Sequence, residues 1–141
     1  MSEEFLIIAH RGESHDAPEN TLSAINLAWK RGAEAVEIDV HMSKDSQIVA
    51  IHDFDTKRLA GVNKDVRKQT LAELKALDVG SWKGAQWQGE QIPVLKEILE
   101  TVPNGKKLVI EIKSDATMIP ILKEELGRSS LTPEQIDNYC N

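Results

Sequence analysis

Four short aliphatic runs organise this sequence, and each turns polar near its C-terminal end. They are Phe5–Ala9, Ala35–Val40, Ile48–Ile51 and Leu108–Lys113. They are rich in Ile and Val and mostly do not alternate apolar with polar residues, the pattern of parallel strands covered on both faces. Helical stretches separate most of them. Thr21–Arg31 places Leu22, Ile25 and Trp29 on one side and stops at Gly32. Thr70-Leu71-Ala72-Glu73 is a capping box that opens a helix through Leu77. Pro93 suits the first turn of a helix over Val94–Thr101, and Ala116–Leu126 reads as a fourth helix with Pro120 near its start. Alternating strands and helices predict an α/β fold with a parallel sheet. Residues 53–93 are longer and more polar than a plain crossover requires. They are expected to form an insertion after the third strand, carrying one short helix and packed over one end of the sheet.

A chain of 141 residues can bury one modest core, so a single domain over 1–141 is expected. The formal net charge of -6 and the absence of a basic stripe argue against nucleic acid as a partner. The one cysteine, Cys140, leaves no internal disulfide to form and fits a reducing compartment. The run Phe5–Ala9 follows Glu3 and Glu4 and is too short for a signal peptide or a membrane span. A soluble cytoplasmic protein, with no membrane partner, is the expectation.

The polar ends of the strands carry the chemistry. The first ends in His10-Arg11, the second holds Glu37 and Asp39, the third ends in His52-Asp53, and the fourth holds Glu111 and Lys113. In parallel α/β folds the C-terminal strand ends build the active site. Residues two apart on a strand share a face, so Glu37 and Asp39 point the same way, as do Glu111 and Lys113. Carboxylates that converge must be protonated, paired or bridged by a cation. An all-oxygen donor set favours a hard divalent ion such as Mg²⁺ or Ca²⁺. Each piece alone also fits a blander reading: a carboxylate pair on a solvated face, a strand-end histidine in an ordinary loop, Glu111 with Lys113 as a simple ion pair. His15 and His41 are read as structural, His41 lying beyond the expected strand end. Trp82 and Trp87 are read as packing residues.

The segments "AHRG", "PENT", "EIDV", "IHD" and "IEIK", with "SKD", "TLAELKALDVGSW" and "GEQIPVLKEIL", resemble the glycerophosphodiester phosphodiesterase family in order and spacing across Phe5 to Leu131. The resemblance implies a TIM-barrel (β/α)8 enzyme that hydrolyses deacylated phospholipids, a small-molecule substrate, to glycerol 3-phosphate and an alcohol. It implies His10 and His52 as the acid–base pair and Glu37, Asp39 and Glu111 as ligands of a divalent cation. Arg11 becomes a phosphate clamp and Lys113 a second cationic contact, with Glu19 and Asn20 in support. In related enzymes the attacking group can be the substrate's own glycerol hydroxyl. Related substrates, lysophospholipids or sphingolipids, and a half-barrel that binds metal or a partner without turnover remain alternatives. A TIM barrel runs to about 250 residues and eight strands. The resemblance therefore covers about the first four β/α units, and no fifth strand is expected. Open edges on Phe5–Ala9 and Leu108–Lys113 then favour homo-oligomers, with little hydrolysis by a free monomer.

Overall fold

The computed structural model describes residues 7–140 and the side chains of 7–138. Strand β1 (Ile8–His10) leads through a turn into helix α1 (Leu22–Lys30), then strand β2 (Ala35–Met42) and strand β3 (Ile48–Ala50). A small hairpin of β4 (Asp55–Thr56) and β5 (Val62–Asp65) encloses the one-turn helix α2 (Lys57–Ala60). Helices α3 (Leu71–Lys75) and α4 (Leu95–Leu99) precede strand β6 (Lys107–Ile112), helix α5 (Ile119–Arg128) and strand β7 (Ile136–Cys140). Phe5 and Leu6 of the expected first strand lie outside the described residues.

The main sheet runs β1-β2-β6-β7, all parallel, with β3 also paired to β2. One face of β2, made of Val36, Ile38, Val40 and Met42, packs with Leu108, Ile110 and Ile112 of β6 under α1, α4 and α5. Helix α1 starts where expected because the Thr21 side chain accepts from the Ala24 N–H at 3.2 Å. At the head of α3 the Thr70 side chain accepts from the Glu73 N–H at 3.2 Å, one of the two bonds of the expected capping box. Pro120 sits in the first turn of α5, where its missing N–H costs little.

Four expectations are corrected. First, β3 is antiparallel to β2, with Val40 opposite Ala50 and Met42 opposite Ile48. The connection Ser43–Gln47 is far too short for a parallel crossover. It is a tight turn, closed by the Ser43 N–H donating to the Gln47 carbonyl, with Ser46 at φ 62°. Second, a fifth strand exists: β7 pairs with β6, Leu108 opposite Ile136 and Ile112 opposite Cys140. The outer edge of β6 is therefore covered. Third, burial on both faces holds for β2 and β3, whereas β6 alternates and β1 is largely exposed. Fourth, 53–93 carries two short helices and a hairpin rather than one helix. Its Leu59, Val66, Leu74, Val79 and Ile92 form a second small core against Val49 and Ile51 of the β3 segment. Among the described residues no helix is long and apolar enough to cross a membrane.

Candidate active site

The second face of β2 carries Ala35, Glu37, Asp39 and His41, and all four are buried. In-register pairing puts His10 beside Glu37 and Glu111 beside Asp39. Residues paired in register share a face, so one patch collects an imidazole and three carboxylates. Oxygens of Glu37, Asp39 and Glu111 lie within 4.8 Å of one another. His10 Nε2 is 3.9 Å from Glu37 Oε1, with the ring largely open to solvent.

The histidines arrive from opposite directions along one edge of β2. Strand β1 ends with His10 level with Glu37. Strand β3, running the other way, brings the Ile51 N–H to the Asp39 carbonyl at 3.0 Å, and His52 follows. The parallel reading placed His52 on a common rim of C-terminal strand ends. In the structure His52 instead follows an antiparallel strand, one residue past the Ile51 backbone contact with Asp39. His52 Nδ1–H donates to Asp53 Oδ1 at 2.9 Å, which leaves Nε2 for other partners.

The turn after β1 fixes Arg11. Both Arg11 (φ 59°) and Asn20 (φ 58°) occupy the left-handed region, and the Asn20 N–H donates to the Arg11 carbonyl at 2.9 Å. Gly12 has φ 77°, and a Cβ there would meet the Ala24 carbonyl carbon at 2.7 Å. Only glycine lets the chain turn here against α1. The Arg11 N–H donates to Glu37 Oε1 at 3.2 Å, Nη1 to Glu19 Oε2 at 3.0 Å, and Nε lies 3.4 Å from Asp39 Oδ2. Asn20 clasps Asp39 twice: Nδ2 donates to Oδ2, and Oδ1 accepts from the Asp39 N–H, both at 3.1 Å. Lys113 Nζ is 2.9 Å from Glu111 Oε1.

Two oxygens of the patch, Glu37 Oε2 and Asp39 Oδ1, are buried and have no hydrogen-bond partner. Buried acceptors without donors are costly. Burial, then the neighbouring Asp39 carboxylate, push the Glu37 carboxyl well above its usual range. Burial acts in the same sense on Glu111, but the Lys113 ammonium outweighs it and holds that carboxyl low. Orphaned carboxylate oxygens at this spacing fit a hard divalent cation held by Glu37, Asp39 and Glu111.

Three residues make contacts that the sequence does not reveal. His41 lies inside β2, not beyond its end, and is fully buried. Its Nε2–H donates to the His52 carbonyl at 3.0 Å, which anchors the third segment to the second. Burial pushes its pKa down, so the ring is neutral and Nδ1 is an unpaired acceptor. Its parity with Glu37 and Asp39 was the available signal. Asp53 supports His52 as above. Arg58 joins Asp53 to Glu19, a link no spacing rule reveals. His15, by contrast, is exposed and bonds Asp16.

The sequence model of the glycerophosphoryl diester phosphodiesterase family matches residues 10–134. The Bacillus subtilis protein YhdW is 45% identical over 122 residues, covering 86% of this chain and 50% of that protein. A glycerophosphodiester phosphodiesterase of Caldanaerobacter subterraneus is 42% identical over 122 residues, with the same coverage of 86% and 50%. The chain thus spans about half the length of these curated relatives. An Oleispira antarctica phosphodiesterase, solved in complex with the product sn-glycerol-3-phosphate, superposes with a TM-score of 0.86 at 38% identity, covering 96% of this chain and 56% of that one. The parallel β/α order found here corresponds to part of such a TIM barrel. With its motifs in order, its strands superposed and residues 10–134 matched, the chain belongs to the glycerophosphoryl diester phosphodiesterase family.

Proposed function

We propose that this chain carries the catalytic groups for divalent-cation-dependent hydrolysis of glycerophosphodiesters to glycerol 3-phosphate and an alcohol. The observation that carries the reading is the carboxylate patch, three acids within 4.8 Å with two orphaned buried oxygens, set beside Arg11 and His10. The product named for the Oleispira relative supports the substrate class.

A phosphodiester is anionic and repels nucleophiles, so catalysis must neutralise its non-bridging oxygens as charge builds. Glu37, Asp39 and Glu111 would hold Mg²⁺ or Ca²⁺, which supplies part of that neutralisation when bound. Arg11 supplies a further part. It is oriented by Glu19 and Asp39, and a guanidinium fork matches two phosphate oxygens. Lys113 adds a second cationic contact beside Glu111. One histidine takes the proton of the attacking hydroxyl while its oxygen bonds to phosphorus. The other gives a proton to the leaving alcohol oxygen as the old P–O bond breaks. His52, with Nδ1 engaged by Asp53, uses Nε2 for its transfer.

The test has two arms. Titration of the chain with Mg²⁺ and Ca²⁺ should show one site that Glu37→Gln or Asp39→Asn removes. Release of glycerol 3-phosphate from glycerophosphocholine should require the cation and stop with chelator, and light scattering on the same sample gives the active assembly. Absence of any cation site dependent on these carboxylates rejects the reading.

A further inference from the structure

We propose that Arg58 is a positioning residue that locks the phosphate clamp and the second histidine into one frame, an assignment that rests on the hydrolase reading above. Its guanidinium makes four hydrogen bonds to two carboxylates. Nη1 donates to Glu19 Oε1 at 2.8 Å and Nη2 to Glu19 Oε2 at 3.0 Å. Nε donates to Asp53 Oδ2 at 3.0 Å and Nη2 also to Asp53 Oδ1 at 3.1 Å.

Each carboxylate has a second duty. Glu19 Oε2 also accepts from Arg11, and Asp53 Oδ1 also accepts from His52 Nδ1–H. A continuous chain therefore runs Arg11–Glu19–Arg58–Asp53–His52. It joins the turn after β1 to the segment after β3, which no backbone pairing brings together. Lysine could not build it, because an ammonium lacks the planar fork that faces two carboxylates at once.

The link is buttressed from outside. The Arg58 guanidinium carbon lies 5.6 Å from the centroid of the Trp82 ring, within cation–π range. Trp82 is pinned by its indole N–H donating to the Val79 carbonyl at 2.7 Å. Segment 53–93 thereby supplies both the bridging arginine and the ring behind it. Glu19 is buried, whereas Arg58 is partly open. Arg58 touches no group given a role in proton transfer, so it acts through Asp53 and Glu19.

Arg58→Gln and Arg58→Lys are made in the full chain, with Arg128→Gln as a control that alters an exposed ion pair with Glu124 on α5. Far-UV circular dichroism establishes folding, and the lysine variant stands in if the glutamine variant does not fold. The first readout is the ¹⁵N signal of the His52 ring. In the parent the Nδ1-protonated tautomer dominates, and in both variants the signal should move toward a tautomer average. The second is turnover of glycerophosphocholine. Here kcat should fall about 10–100-fold, the scale of a small misplacement of catalytic groups, with a smaller change in KM. Lysine should rescue little. A His52 signal unchanged in a folded variant overturns the assignment, whatever the rate does. No turnover in the parent chain in any assembly found by light scattering would reject the hydrolase reading, and the His52 signal alone would then decide the positioning role.

Discussion

Two groups of carboxylates meet in this small region, and they solve the same electrostatic problem in opposite ways. Glu19 and Asp53 are held by Arg11, Arg58 and His52, every contact a direct hydrogen bond. Arg58 leads in holding Asp53 down, to about 2. Burial works against Glu19, yet Arg58 and Arg11 bring it below its ordinary value. Glu37, Asp39 and Glu111 are the converse. Lys113 serves Glu111 and Arg11 leans on Asp39, but Glu37 Oε2 and Asp39 Oδ1 are left without donors, and the Glu37 carboxyl is driven up. The first group is complete within the protein. The second leaves buried acceptors without donors, and that contrast is what the proposed cation site rests on.

The sharpest tests fall on the groups between them. His10→Ala and His52→Ala should each lower turnover by about 10²–10⁴-fold, the usual contribution of an acid–base group. Cation affinity should stay nearly intact, because neither ring is one of the three carboxylates. Steady-state rates with a parallel cation titration check both. Normal turnover in either variant removes that histidine from the mechanism.

Next in size is the deficient group itself. Glu37→Gln should abolish cation binding and lower turnover by about 10²–10³-fold, as loss of a positioned electrostatic group does. In chelator the same variant should melt higher than the parent, because a buried acid beside a second carboxylate has gone. A variant that binds cation normally, or melts lower in chelator, would break the contrast drawn above.

Much of this was legible before any coordinates. The period of two on β2 and β6 placed Glu37 with Asp39 and Glu111 with Lys113. The caps at Thr21 and Thr70 located two helices because their hydrogen bonds are local. Part of what failed was decided by partners distant in sequence. Ile136–Cys140 has too little aliphatic character to announce a strand, and it is one because β6 offers it an edge. The direction of β3 could have been read from the short Ser43–Gln47 link, but similar apolar character suggested a similar direction. His41 was misplaced by ending β2 too early. Arg58 lies 39 residues from Glu19, and nothing in composition ties the two.

The complete group predicts a smaller loss of stability. Glu19→Gln replaces a buried acceptor of three arginine N–H bonds with a side chain that accepts fewer and carries no charge. The cost should be about 1–3 kcal/mol, the range for hydrogen bonds involving charged groups. Cation binding should survive in weakened form, since Arg11 loses its anchor but Asn20 still clasps Asp39. Denaturant unfolding measures the first, calorimetric titration the second. An unchanged midpoint would mean that Arg58 and Arg11 find other partners at no cost.

The smallest effect separates Glu37 from Glu19 and Asp53 by the sign of the pH response in the cation-free chain. Asp53 and Glu19 have folded values below their unfolded ones. Their contribution is therefore fully present above the ordinary carboxylate range and is lost as the pH falls through it, toward about 2 for Asp53. Glu37 has a folded value above its unfolded one of 4.5, so the folded chain holds that proton more tightly. Its contribution is present in acid and is lost as the pH rises above 4.5. Melting temperature in chelator should consequently pass through a maximum, with an acid limb from Asp53, Glu19 and the Lys113-held Glu111 and a neutral limb from Glu37. Saturating Mg²⁺ or Ca²⁺ should lift the neutral limb, because the ion replaces the proton on Glu37. Glu37→Gln should flatten the neutral limb without any ion. A neutral limb that persists in Glu37→Gln would assign that loss to another group and erase the distinction between the two sets of acids.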